Sequence, residues 1–504
     1  MKLSRRDFLK LAGITGVATV TGGYLLSQPS ILGPGRSLSG STVRAASTDF
    51  NPDVDLILRA SADTQQILNG SSTTVWRYHG EIVTGEPHNL QPVPNSFLGP
   101  TIRVRSGQKV RIRFQNELPE SSNVHWHGLY VPDYADGHPR FVAGTSEEYV
   151  YEFEVINHAG TYWYHPHPHE RTGAQVNAGL AGLFIVEDDV EDAFELPSGE
   201  YDLPLVIQDR RFNTDNQLMY VNNMHDRMMG FWGDTVLVNG QANARLSVAT
   251  RPYRLRLLNG SNSRPYVLAW SDESRMRVIG TDGGLIERAV LTPYITLGPA
   301  ERAELWIDFS EYDPGTEVTL LDLGAGQPVV VGTFSVNETS DVRMPAPIAL
   351  RDHSVLDPML AVNAGNPRVF EFSMGQMTPT INGRTFEMEA VAEDEVVRLG
   401  DMEIWEFRNN AQSGGMMPMP HPIHMHGRQF QVIERSMHPN FVQQWSGITA
   451  GYLDYGWKDT ILLMPGETAW VAVRFDDYAG LFVYHCHTLE HEDLGMMRNY
   501  EVRA

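Results

Sequence analysis

Cysteine is nearly absent from this chain of 504 residues: Cys486 is the only one. No disulfide can therefore form within the chain. Long apolar runs are lacking too. The longest, Leu11 to Leu26, has 16 residues and several Gly and Thr, short of the roughly 20 that a helix needs to cross a bilayer. Positive charge is in deficit, with 39 Lys and Arg against 62 Asp and Glu for a formal net charge of −23. A surface of that sign repels phosphate backbones, which argues against nucleic acid as a partner. Helical periodicity is scarce throughout. The length itself suggests about three domains if each takes roughly 150 residues.

What is present begins with an address. Ser4-Arg5-Arg6-Asp7-Phe8-Leu9-Lys10 places a twin arginine ahead of the apolar run, as in a Tat export signal. Residues 1–45 are read as that signal, with a cut near Ala45 or Ala46; the alternative is a signal anchor that stays attached. Six basic side chains and one acidic one leave with it, a net of +5, so −23 becomes −28. The expected location is extracytoplasmic, periplasmic or secreted, with no stable membrane span after signal removal. Tat export delivers folded chains, a route common among cofactor proteins. In an oxidising space an unpaired cysteine is either buried and inert or engaged in metal or redox chemistry.

The remainder reads as β-rich. Thr101-Ile-Arg-Val-Arg105 and Lys109-Val-Arg-Ile-Arg-Phe114 alternate apolar and polar residues around Ser106-Gly107, predicting half-buried strands joined by a turn. With 45 Gly and 30 Pro to supply turns, an all-β set of sandwiches is the natural class. An internal repeat divides the chain. Val124-His-Trp-His-Gly128 is followed by Ala159-Gly-Thr-Tyr-Trp-Tyr-His-Pro-His167; Ile423-His-Met-His-Gly427 is followed by Ala479-Gly-Leu-Phe-Val-Tyr-His-Cys-His487. Between them, Gly298 to Phe309 has the strand grammar of Gly466 to Phe475 without the histidines. Three domains follow, over residues 46–190, 200–340 and 365–504, with linkers near 189–202 and 340–366. The middle one carries no metal ligand and holds the outer two in place. Gly280-Thr-Asp-Gly-Gly284 is a turn, since no helix follows to make it a nucleotide loop.

Four His-x-His pairs occur: His125 with His127, His165 with His167, His424 with His426, and His485 with His487. Residues i and i+2 of a strand face one side, so each pair presents two imidazoles together. Eight can converge if the first and last domains meet. His169 extends one pair but matches nothing in the other cassette and is set aside. Neutral imidazoles alone suit copper, iron, nickel or zinc. Cys486 narrows the choice: between His485 and His487 on a strand, its side chain points the opposite way, toward a second site. His421, His491 and Met496 are spaced to complete a blue-copper centre there, and Met497 is read as packing.

In these motifs the chain resembles the multicopper oxidases of the bacterial laccase, bilirubin oxidase and cuprous oxidase type. His125-Trp-His-Gly, His165-Pro-His, His421-Pro-Ile-His424-Met-His426 and His485-Cys-His487-Thr-Leu-Glu-His491-Glu-Asp-Leu-Gly-Met496 match that family's four copper motifs in order. The resemblance implies three consecutive cupredoxin-like Greek-key β-sandwich domains and four copper ions per chain. His421, Cys486, His491 and Met496 would hold the type 1 copper, and His125 and His424 the type 2 copper. One type 3 copper would take His127, His165 and His487, the other His167, His426 and His485. It further implies single electrons entering at the type 1 copper, passing through Cys486 and its flanking histidines, and reducing oxygen to water at the cluster. Asp136 and Glu492 match acidic positions that supply protons in bacterial relatives, while Glu490 and Asp493 read as solvated neighbours.

The expected partners are oxygen and a small reductant, with the chain a monomer. A phenol or aromatic amine leads; copper(I), or a tetrapyrrole as in bilirubin oxidases, is the alternative. Methionines cluster at Met224, Met228 and Met229, at Met374 and Met377, and at Met416, Met417 and Met419, and thioethers bind copper(I). Yet the long methionine-rich insert of cuprous oxidases is absent, and Met417 stands where they carry an aspartate, so core filling is the simpler reading. Exported relatives that have lost their coppers act as structural or division-associated proteins, but they lack the cysteine and most of the histidines kept here.

Overall fold

Residues 44–375, 378–410 and 419–504 are described by a computed structural model. The twin arginine and apolar run lie outside these residues, as do Met377, Met416 and Met417. Six sheets form among the described residues. One repeated arrangement accounts for half of them. Val54–Gln65 pairs antiparallel with Thr73–Thr84 and parallel with Lys109–Asn116, which pairs antiparallel with Glu147–Glu154. The same sequence of pairings recurs around Asp202–Arg210, Pro252–Asn259 and Arg302–Asp308, and again around Arg368–Gly375, Met402–Asn409 and Glu467–Arg474. The likeness of Gly298–Phe309 to Gly466–Phe475 is therefore one of position as well as pattern.

The other three sheets repeat a second arrangement, in which a parallel pair is extended by two antiparallel partners. Thr101–Arg105 lies parallel to Gly182–Glu187, followed by Gly160–His165 and His125–His127. Val396–Arg398 lies parallel to Met497–Arg503, followed by Gly480–Cys486 and His421–Met425. The chain crosses between sheets, as from Thr101–Arg105 to Lys109–Asn116, before parallel neighbours meet, and so builds tandem cupredoxin-like sandwiches. Each pair of sheets encloses its own apolar core, built on residues such as Trp126 and Tyr164, Leu257 and Phe334, and Trp405 and Tyr484.

The turn at Ser106-Gly107 exists, but the strands it joins belong to different sheets and are more buried than alternation predicts. Ion pairing is the reason: Arg103 lies 3.2 Å from Glu187 and 3.3 Å from Asp202, and Arg111 lies 2.7 Å from Glu152. Paired guanidinium groups occupy interior positions that unpaired charges cannot. No helix among the described residues is long and apolar enough to cross a membrane.

Candidate metal centres

The two cassettes fold into one local structure used twice. His125–His127 pairs antiparallel with the strand ending at His165, placing His125 opposite His165. His421–Met425 pairs with the strand ending at Cys486, placing His424 opposite His485. The first histidine of each doublet thus faces the first of its partner, and period-two alternation turns all four doublets the same way. Across the junction His125 stacks on His426 and His127 on His424, both with ring centroids 3.6 Å apart. All eight imidazoles are fully buried.

Hydrogen bonding tests whether this cluster suits a metal. His125 Nδ1 lies 2.6 Å from the Asp136 carbonyl, and His424 Nδ1 lies 2.8 Å from the Asp459 carbonyl. A carbonyl only accepts, so each Nδ1 carries the hydrogen and each Nε2 a lone pair. Those two Nε2 atoms face each other at 3.3 Å. His485 Nδ1 lies 3.1 Å from the Cys486 carbonyl, and its Nε2 lies 3.1 Å from that of His426 and 3.3 Å from that of His167. Burial, and then the neighbouring imidazoles, hold His125, His167 and His426 well below the usual imidazole range. Protonation is therefore disfavoured as relief for the facing lone pairs, and a bound cation would supply it. His127, His165 and His487 form the third group, with ring centroids 5.2 to 5.7 Å apart. Nδ1 of His127, Nε2 of His165 and both nitrogens of His487 are buried without a hydrogen-bond partner, free to act as ligands.

Cys486 opens the second centre, on the other face of its strand. Its Sγ lies 3.3 Å from His421 Nδ1 and 3.6 Å from His491 Nδ1. His491 donates through Nε2 to the Met228 carbonyl at 3.1 Å, so its Nδ1 lone pair points at the sulfur. Met496 is fully buried, and its backbone bonds both Cys486 and His491. Thr488 N–H reaches Sγ at 3.4 Å. Burial pushes the thiol up to about 12, which makes this sulfur a protonated, inert thiol unless a metal displaces the proton. A thiolate, two imidazoles and a thioether are the donor set that copper takes in electron-transfer sites.

Asp136 and Glu492 both border the imidazole cluster. Asp136 Oδ2 accepts from His426 Nδ1 at 2.8 Å. Glu492 lies 3.5 Å from His167 Nε2 and 3.3 Å from His485 Nδ1. Burial raises both carboxyl groups well above their usual range, with Asp133 adding to the effect on Asp136 and Asp493 on Glu492. The reading as solvated acids is overturned for Glu490, whereas Asp493 is half-buried. Glu490 is buried and accepts from Tyr220, Phe231 N–H and Asn262. Asp493 accepts from Thr172 and Gly173 N–H at the start of the helix Thr172–Ala178. Each binds an element remote in sequence, a contact that local pattern does not reveal. His169 stays outside the cluster, beside Phe386.

Sequence reasoning missed Asp459 and Arg302, and it named Met228 for its thioether rather than for the carbonyl that meets His491. Met228 belongs to a short helix, Met224–Met229, whose carbonyl end covers His491. Met228, Met374 and Met419 pack in the third core, Met229 lies against it, and Met224 is 59% exposed.

Comparison with known proteins agrees with this geometry. Multicopper oxidase family models match residues 74–191 and 361–504. The chain is 35% identical over 410 residues to a multicopper oxidase of Staphylococcus haemolyticus, covering 81% of this chain and 82% of that one. It is 31% identical over 477 residues to a laccase of Bacillus subtilis, covering 82% and 90%. The crystal structure of the McoA multicopper oxidase from Aquifex aeolicus superimposes with a TM-score of 0.77 at 35% identity, covering 90% of this chain and 97% of that one. With its buried histidine cluster, its cysteine-centred site and this similarity along most of its length, the chain belongs to the multicopper oxidase family and is an enzyme of that class.

Proposed function

We propose that this enzyme oxidises phenols or aromatic amines one electron at a time and uses the electrons to reduce oxygen to water. The observation that carries the proposal is the strand through Cys486. Its sulfur faces His421 and His491, while His485 on the same strand faces His167 and His426. Copper bound in both sets would supply one-electron transfer at the thiolate and four-electron oxygen chemistry at the imidazoles. In this assignment His421, Cys486, His491 and Met496 hold the type 1 ion, and His125 with His424 the type 2 ion. The two type 3 ions fall to His127, His165 and His487 and to His167, His426 and His485.

The protein's own groups serve the remaining needs. The His491 side of the thiolate centre, where Nε2 meets the Met228 carbonyl at the end of a short helix, is the entry for electrons. Burial raises the Asp136 and Glu492 carboxyl groups, which favours their protonated forms, and each borders cluster imidazoles, so both are placed to donate. Packing accounts for Met228, Met374 and Met419, which favours organic reductants over copper(I). We further propose Tat-dependent export and a monomeric state. Arg5→Lys with Arg6→Lys should leave the enzyme in the cytoplasm on fractionation.

Oxygen uptake with a phenol, with bilirubin and with copper(I), each measured with and without added copper(II), tests the substrate. Phenol turnover exceeding the other two, with four electrons consumed per oxygen and no peroxide released, is the expected result. Uptake with copper(I) alone would move the assignment to a cuprous oxidase.

A further inference from the structure

The middle sandwich offers no histidine to the cluster, yet one of its side chains reaches it. Arg302 is fully buried, and all five of its N–H donors are used. Nε donates to the Thr161 carbonyl at 2.8 Å, Nη1 to the Ala300 carbonyl at 3.1 Å and Nη2 to the Asp282 carbonyl at 3.0 Å. The two donors left form a forked pair with Asp459, Nη1 to Oδ1 at 2.7 Å and Nη2 to Oδ2 at 2.5 Å. Asp459 Oδ1 then lies 3.0 Å from His127 Nε2, and its carbonyl accepts from His424 Nδ1 at 2.8 Å. Thr460 Oγ1, 2.9 Å from Asp459 Oδ1, lies 3.1 Å from the same His127 nitrogen.

His127 is distinctive in this arrangement. His125, His165, His424, His426 and His485 each meet an acceptor through Nδ1, whereas His127 meets one through Nε2 and leaves a buried Nδ1 without a partner. The chain is shaped to admit the forked pair. Gly128 has φ +87°, and a Cβ there would lie 2.5 Å from Asp459 Oδ2 and 2.9 Å from Arg302 Nη2.

We propose that Asp459 and Arg302 act as a positioning pair, by which the ligand-free middle sandwich fixes the His127 ring with Nδ1 toward the metal and so sets the occupancy of the imidazole cluster. The proposal rests on the reading of that cluster as a copper site. Arg302, bound to first-domain backbone at Thr161 and to third-domain carboxylate at Asp459, also ties the two halves of the cluster together through the middle of the chain. An aspartate held by a fully committed guanidinium cannot rotate away, and the imidazole it holds cannot flip.

The test loads purified full-length wild type, Asp459→Ala, Asp459→Asn, Arg302→Met and Glu301→Gln with copper, challenges each with a chelator, and follows copper per chain, the blue band and the near-ultraviolet shoulder. Asp459→Ala and Arg302→Met should lose cluster copper and the shoulder at roughly 10- to 100-fold lower chelator concentration, with the blue band intact. Asp459→Asn keeps an acceptor for His127 and should recover most of the loss. Glu301 pairs with Lys458 at 2.9 Å in the same junction but meets none of the imidazoles; Glu301→Gln should lower the melting temperature without moving the shoulder. The proposal is overturned if Asp459→Ala and Arg302→Met retain cluster copper like wild type. It is equally overturned if both lose blue band and shoulder together, or if Glu301→Gln loses the shoulder as they do, since either result means simple destabilisation. A wild type that binds no copper in the cluster would instead defeat the copper reading beneath it.

Discussion

At the scale of single residues, the site is a set of lone pairs aimed at one another. His426 shows how they are aimed: Asp136 accepts at its Nδ1 while its Nε2 faces His485. Asp136→Ala removes that acceptor, and copper affinity at the cluster should fall roughly 10- to 100-fold, measured by metal content after dialysis. Glu492 touches imidazoles only at 3.3 Å or beyond, so it is better placed to pass protons than to orient rings. Glu492→Gln should leave copper content unchanged and slow oxygen reduction by about 10²- to 10⁴-fold, read as reoxidation of the prereduced enzyme. These two carboxylates were marked only by the resemblance to bacterial relatives. The eight paired histidines were legible because strand alternation and one repeated cassette present them together, and Cys486 because it alternates with two of them. Asp459 and Arg302 were not, since 157 positions separate them and only the folded chain brings them together.

At the scale of elements, two tight turns carry the chemistry. Gly137 has φ +82°, and a Cβ there would lie 2.3 Å from the Val124 carbonyl and 2.6 Å from His125 Cα. The Asp136-Gly137 turn is thus an ordinary turn and the device that seats Asp136 against two histidines. Gly137→Ala should displace that loop, costing cluster copper while leaving the blue centre, which shares no residue with it; absorption and copper content check both. The turn at Gly280–Gly284 shows the limit of pattern. It is a turn, as its glycines suggest, but buried Asp282 within it accepts from Arg302 N–H at 2.8 Å, which nothing in its spelling reveals. The same limit explains Arg103 and Arg111. Alternation correctly marks them as strand residues, and only the partners Glu187, Asp202 and Glu152 make them interior ones.

At the scale of the whole molecule, charge networks join sandwich to sandwich. Arg256 lies 2.7 Å from Asp202 and 2.9 Å from Glu304, and Glu304 accepts from Thr161 of the first sandwich at 2.7 Å. Removing one partner of such a buried network leaves the others uncompensated, so Glu304→Gln should destabilise the protein by about 3–5 kcal/mol in denaturant unfolding. Burial pushes the Asp202 carboxyl up, and Arg256, Arg254 and Arg103 more than reverse this, leaving it below its usual range. A lowered folded value means stability that is full above the unfolded pKa and lost as pH falls through the folded one. The stability gap between wild type and Asp202→Asn should therefore be complete above about pH 4 and close at more acid pH. The three-sandwich plan was legible from the repeat, whereas the middle unit's part in seating the cluster was visible only as a spacer.

The central claim is that Cys486 belongs to one copper centre while its neighbours belong to another. Copper content and absorption of wild type beside Cys486→Ser test it most directly. The account predicts about four copper ions per blue wild-type chain and about three in a colourless variant that keeps the near-ultraviolet shoulder. A Cys486→Ser protein that remained blue, or one that lost all its copper while still folded, would contradict it.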